Sequence, residues 1–181
     1  MAENEHAPDL IEPIVGWRLW LVVADGGYLW LESMLYPTRW SPRRALDARC
    51  LPHRRCYVCN PKEVEAFPTH PAPDEECDCG IYAARSPETL APYLDSGYPG
   101  RMAVERVLGR VRLWGKVIAA DRGWRAERAY PDAIYVPSRT LEQELCKAVE
   151  VAGGLHDYGV PVSLLRWKTT PEIIASLARA A

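Results

Sequence analysis

Phenylalanine is almost missing from this chain, with one residue against seven tryptophans and nine tyrosines. The aromatic content is therefore of the amphipathic kind, which serves surfaces as well as cores. Lysine is scarce too, four residues against eighteen arginines, a bias that codon usage explains as readily as function. Neither charge dominates: the net charge is −2 and the sequence pI about 6.1. That balance excludes a global basic field drawing the whole molecule to nucleic acid. No apolar run approaches twenty residues, which excludes a membrane-spanning helix. Internal repeats and low-complexity tracts are absent. The opening MAENEHAPDL has neither the basic start nor the apolar centre of an export signal. A cytoplasmic, reducing setting is the expectation. Also missing are a phosphate-cradling glycine loop, a Gly-x-Ser-x-Gly elbow and a His-Glu-x-x-His helix, so the common enzyme signatures are not represented.

What the chain does have is cysteine in one place. Five of its six cysteines and two of its four histidines fall between Cys50 and Tyr82. Cys56 and Cys59 form a Cys-x-x-Cys pair, and seventeen residues later Cys77 and Cys79 form a Cys-x-Cys pair. Two short cysteine turns separated by about fifteen to twenty residues make a four-thiolate zinc pattern. Asn60-Pro61 and Gly80 supply turn chemistry after each pair. The intervening stretch has little apolar periodicity and carries Pro68, Pro71 and Pro73. A loop of that length without structure of its own needs something to tie it down. Disulfides are the competing explanation, disfavoured by a reducing compartment and by the poor shape of a bridge between residues two apart. Structural zinc on Cys56, Cys59, Cys77 and Cys79 is the expectation. Cys50, His53 and His70 are chemically acceptable donors as well, and Cys50, His70, Cys77 and Cys79 would also close a site.

Around this loop the sequence reads as β-rich. Residues 1–13 read as a disordered lead, with Pro8 and Pro13. Ile14–Val23 has strand composition, Asp25-Gly26-Gly27 signals a turn, and Tyr28–Leu35 returns as a hairpin partner. Ser86-Pro87 starts a brief helix that Pro92 interrupts. From Val107 to Ala119 every odd position is apolar or glycine, the period of a long half-buried strand, with glycines where it bends or bulges. Asp121-Arg122-Gly123 turns the chain, Trp124–Tyr130 pairs back, Pro131 is expected to end that pairing, and Ile134–Val136 reads as one more short strand. Thr140-x-x-Gln143 caps a helix with Leu141, Leu145, Ala148, Val149 and Ala152 on one face. Val160–Trp167 reads as a strand, and Thr170-Pro171 opens a last helix with Ile173, Ile174 and Leu177 as its stripe. The expected fold is α+β: a β-rich, partly closed small barrel over 14–136, containing a zinc-clamped loop at 50–82, with two C-terminal helices in 137–181 packed on it.

The phrases Gly16-Trp17-Arg18-Leu19-Trp20, Cys77-Asp78-Cys79-Gly80-Ile81-Tyr82-Ala83, Gly109-Arg110-Val111-Arg112-Leu113-Trp114-Gly115 and Gly123-Trp124-Arg125-Ala126-Glu127 resemble those of a set of small actinobacterial proteins with no known activity. The resemblance spans about residues 14–136 and, more loosely, the phrase Tyr158-Gly159-Val160-Pro161-Val162. It implies a shared fold and, as the set's shared donors, Cys50, His70, Cys77 and Cys79, with the Cys56/Cys59 pair an addition of this chain. It implies no function.

Three functions follow as expectations. The first is a zinc-stabilised binding or adaptor module with a protein partner. The second is nucleic-acid binding through Arg110, Arg112, Trp114, Lys116, Trp124 and Arg128, since cations interleaved with aromatic faces hold phosphates and stack bases. The bland counterpart is a solvated arginine face whose charges pair with neighbouring acids. The third is a zinc- or cysteine-dependent enzyme drawn from Cys50, His70 and Asp74, although metal would consume the same thiols. Cys146 reads as a small buried or bordering side chain beside the helix stripe, and His6 and His156 as surface residues.

Overall fold

The computed structural model describes residues 13–34, 38–50, 70–95, 103–138, 142–166 and 169–179. Two long strands dominate. β6 (Ala103–Ala120) and β7 (Gly123–Ser138) pair antiparallel along nearly their whole length, and β6 pairs on its other side with β1 (Ile14–Asp25). β1 turns at Gly26-Gly27 into β2 (Tyr28–Ser33), which carries the two-residue β3 (Arg39–Trp40) at its edge. β4 (Leu46–Asp47) and β5 (Ile81–Ala84) both pair with β7, and β5 also meets β1 through Trp17 and Ala84. The strands β1, β5, β7 and β6 thus close a hydrogen-bonded ring of four. β8 (Val162–Arg166) joins β7 in parallel. The helices are the short α1 (Ala91–Asp95), α2 (Glu142–Gly154) and α3 (Thr170–Arg179). None of them is long and apolar enough to cross a membrane.

β1 is apolar nearly throughout because it serves two cores. Trp20 and Val22 join Val107, Val111, Leu113, Ala126, Ala129, Ile134 and Val136 under α2. Trp17 and Leu19 point the other way, onto Leu108, Leu90, and Ile173 and Leu177 of α3. Successive strand residues face opposite sides, so a sheet covered on both faces shows no simple alternation. Leu108 belongs to this second core and is fully buried beneath α3. Ile173, Ile174 and Leu177 are the buried side chains of α3, as its periodicity predicts.

The expected interruption at Pro131 does not occur. Pro131 lies opposite Val111 where the β6–β7 register shifts, and β7 runs on to Ser138. A register irregularity is where a strand tolerates a residue without an N–H. The anticipated short strand at Ile134–Val136 is the continuation of β7. A second shift falls between Trp114 and Val117, at Gly115 with φ +75°. Glycine in the left-handed region is the usual first residue of a strand bulge, and here the Glu127 carboxylate accepts the Lys116 N–H at 3.0 Å.

Tyr158 ties the C-terminal half to the first hairpin. It is 1% exposed. Its hydroxyl accepts the Leu31 N–H at 2.8 Å and donates to the Trp40 carbonyl at 2.7 Å, bridging β2 and β3 where Leu31 and Trp40 are register partners. Burial pushes this phenol up to about 12, so it stays neutral. Tyr158→Phe would orphan a buried N–H and a buried carbonyl, an effect of about 1–3 kcal/mol. Denaturant unfolding should show that loss as a lower midpoint with the slope unchanged.

Candidate metal centre

Two segments anchored on β7 bring the donors together. Ala48 donates to the Glu127 carbonyl at 2.7 Å, continuing the β4–β7 pairing to two residues before Cys50. Cys77-Asp78-Cys79-Gly80 leads directly into β5, which pairs with β7 from Ile81↔Ala126 to Ala84↔Gly123. His70 enters just ahead of the Pro71–Asp74 turn. One donor atom from each of Cys50, His70, Cys77 and Cys79 lies within 4.8 Å of all the others. Cys50 Sγ stands 3.2 Å from His70 Nε2 and 3.9 Å from Cys77 Sγ. A zinc tetrahedron with sulfur at ~2.3 Å has vertices ~3.8 Å apart, so the cluster has the size such an ion requires.

The surroundings orient the donors. His70 Nδ1 lies 3.0 Å from the Pro71 carbonyl. A proton on Nδ1 fits that contact and leaves the Nε2 lone pair aimed at the thiols, the arrangement metal-binding histidines usually have. Asp74 folds the cysteine turn: its carboxylate accepts the Glu76 N–H at 2.9 Å and its carbonyl the Cys77 N–H at 3.3 Å. Arg125 of β7 reaches across. Its Nη1 donates to the carbonyls of Asp74 at 3.1 Å and Cys79 at 3.0 Å, and also to that of Cys77. One guanidinium therefore holds the backbone at two of the four donors. Gly80 has φ +124°, and a Cβ there would stand 3.0 Å from Pro73 Cβ and 3.1 Å from Arg125 Cβ. Only glycine combines that conformation with that clearance. Tyr82 donates to the Asp78 carbonyl and its own carbonyl accepts from Arg18. Arg18 in turn lies over the Trp40 ring at 5.1 Å.

The electrostatics of the bare cluster oppose ionisation of its thiols. Burial, then the neighbouring Cys77 and Cys79, push the Cys50 thiol up to about 11, and burial also raises Cys79. The hydrogen bond to the Pro71 carbonyl, followed by Cys77, raises His70. Thiols so placed keep their protons until a cation displaces them. Three sulfurs and one imidazole make a donor set that could hold a metal ion through four protein ligands.

Of the expected ligands, Cys77 and Cys79 are in the cluster, while Cys56, Cys59 and His53 lie outside the described residues. Cys50 and His70, the alternative pair, complete the four. Arg125 has no signal in the sequence beyond its place among surface cations; its role follows from standing opposite Tyr82 in the β5–β7 register. Cys146, expected to be buried or to border the stripe, is instead exposed on α2, and His156 is exposed as anticipated.

The residues expected to form a partner surface are not all on one face. Arg110 and Arg112 share Asp132 at 3.0 and 2.6 Å. Arg128 pairs with Asp47 at 3.1 Å and stands opposite Trp114. Lys116 is exposed near Glu127. Trp124 instead packs against the main core, with the Arg85 guanidinium 4.7 Å above its ring. Trp114 and Arg112 line a groove of about 560 Å³ together with Pro13, Arg43, Ala45 and Tyr130. No protein-family model, curated protein or solved structure matches the chain.

Two outcomes follow. Because folding raises the Cys50 pKa, its contribution to stability is complete below the ordinary thiol value of 9.0 and is lost as pH climbs from there to about 11. Metal-free protein should therefore melt progressively lower across that window, while metal-loaded protein, already deprotonated at sulfur, should not. Arg125→Met should weaken metal binding about 10–100-fold, the usual cost of removing an outer support, as read by chelator competition.

Proposed function

We propose that this chain is a zinc-stabilised binding or adaptor module for a protein partner, working in a reducing cytoplasm. The observation that carries the reading is the closed set of four donors, Cys50, His70, Cys77 and Cys79. A catalytic zinc keeps an open coordination position, so a complete Cys3His set argues for structure over catalysis. The four-strand ring supports the finer reading of the core as a partly closed barrel, with the metal pinning the loop ends against β7. Trp114, Tyr130, Pro13 and Ala45 give the nearby groove a largely apolar lining that suits a protein partner. Nucleic-acid binding is the weaker reading: Arg110, Arg112 and Arg128 already have carboxylates within 3.1 Å, leaving little free charge for phosphates.

Elemental analysis of protein kept reduced should find one zinc per chain. Serine at position 50, 77 or 79, or alanine at position 70, should each abolish it. Cys56→Ser and Cys59→Ser should retain it, and loss of zinc from those two variants would move the site to the Cys56/Cys59 set. A fluorescent single-stranded 20-mer should show no binding at physiological salt. Salt-dependent binding that disappears in Trp114→Ala would favour the nucleic-acid reading instead.

A further inference from the structure

We infer that Cys50 and Cys77 are a latent disulfide, formed when hydrogen peroxide reaches the cluster, so that a covalent bond replaces the metal as the clamp on the loop. This rests on the metal reading above and adds a modification site to it. Their sulfurs are 3.9 Å apart, against ~2.05 Å in a disulfide, so about 2 Å of approach suffices. Both side chains are partly exposed, and a peroxide molecule has access.

The choice of pair follows from the backbone. Cys77 and Cys79 are two apart in sequence, a spacing that disfavours disulfide geometry. Cys50 and Cys77 come from different segments that meet the same strand. Cys50 follows the β4–β7 pairing, and Cys77 is held through its carbonyl by Arg125 of β7. Their bond closes over the 27-residue separation without rearranging β4, β5 or β7. Metal ligation keeps the sulfurs as thiolates at neutral pH, the form that reacts.

The chemistry balances with peroxide as the two-electron oxidant. One thiolate attacks a peroxide oxygen, the S–O bond forms as the O–O bond breaks, and hydroxide leaves. The resulting sulfenic acid is attacked by the second thiolate, the S–S bond forms, and a second hydroxide leaves. Two protons from solvent convert these to water, sulfur having lost two electrons and peroxide having gained them. Among the described residues only Cys79 and His70 then remain as donors, too few to retain a zinc ion, which would depart as Zn²⁺.

The test uses zinc-loaded full-length protein, both unmodified and with Cys56→Ser, Cys59→Ser and Cys146→Ser combined, treated with one equivalent of hydrogen peroxide. Zinc release is followed with a chromogenic chelator, and the products are digested with trypsin and then with a protease cutting before Asp78, which separates Cys77 from Cys79. The expected result is one zinc released per disulfide, a Cys50–Cys77 linked peptide as the main product, and zinc uptake restored by dithiothreitol. A zinc-loaded protein that yields sulfinic acids, a Cys77–Cys79 bridge or no zinc release overturns this inference and leaves the metal reading standing. Reduced protein that takes up no zinc at all overturns both.

Discussion

Three thiols drawn into one corner beside an imidazole resist losing their protons unless a cation stands among them, and the arrangement of Cys50, His70, Cys77 and Cys79 depends on that constraint. The shifts on Cys50 and Cys79 express it: burial and mutual proximity hold both protonated. The surrounding chain is built to tolerate the crowding. Arg125 neutralises carbonyl dipoles at Asp74, Cys77 and Cys79, and Gly80 lets the backbone pass close beneath it. The corner contributes little apolar surface of its own, only Ala72 and Pro73 being buried between Cys50 and Gly80 among the described residues. Donor geometry stands where side-chain packing is thin.

The remainder of the molecule gives that corner a rigid base. β7 pairs with β4, β5, β6 and β8, so both arms of the donor cluster are referenced to one strand. The sheet is held from both sides, by α2 and the Tyr158 segment over one face and by α3 over the other. The register shifts at Pro131 and Gly115 let a single pair of long strands serve both the ring and the second, smaller core. Below β7, the Tyr158 hydroxyl replaces a rung of the β2–β3 ladder and couples the C-terminal half to the hairpin.

Much of this was legible in the residues. The first hairpin, the period-two run through β6 and the Ile173, Ile174, Leu177 stripe all carry local signals, in strand composition, turn residues and apolar spacing. Pro131 was misread because a strand that shifts register tolerates a residue without an N–H where regular pairing would stop. The donor cluster was half legible. Cys77 and Cys79 announce themselves by spacing, and Cys50 and His70 were recognisable as donors. Spacing in sequence cannot rank one set of ligands above another, since that depends on which segments share a strand. Arg125 was illegible for the same reason, its partners being carbonyls of a loop some fifty residues away.

X-ray absorption at the zinc edge of reduced protein tests the account most directly, because it counts sulfur and nitrogen neighbours without disturbing the fold. The account predicts three sulfurs at ~2.3 Å and one imidazole nitrogen at ~2.0–2.1 Å. Four sulfurs with no imidazole, or a shell containing oxygen from water, would contradict it.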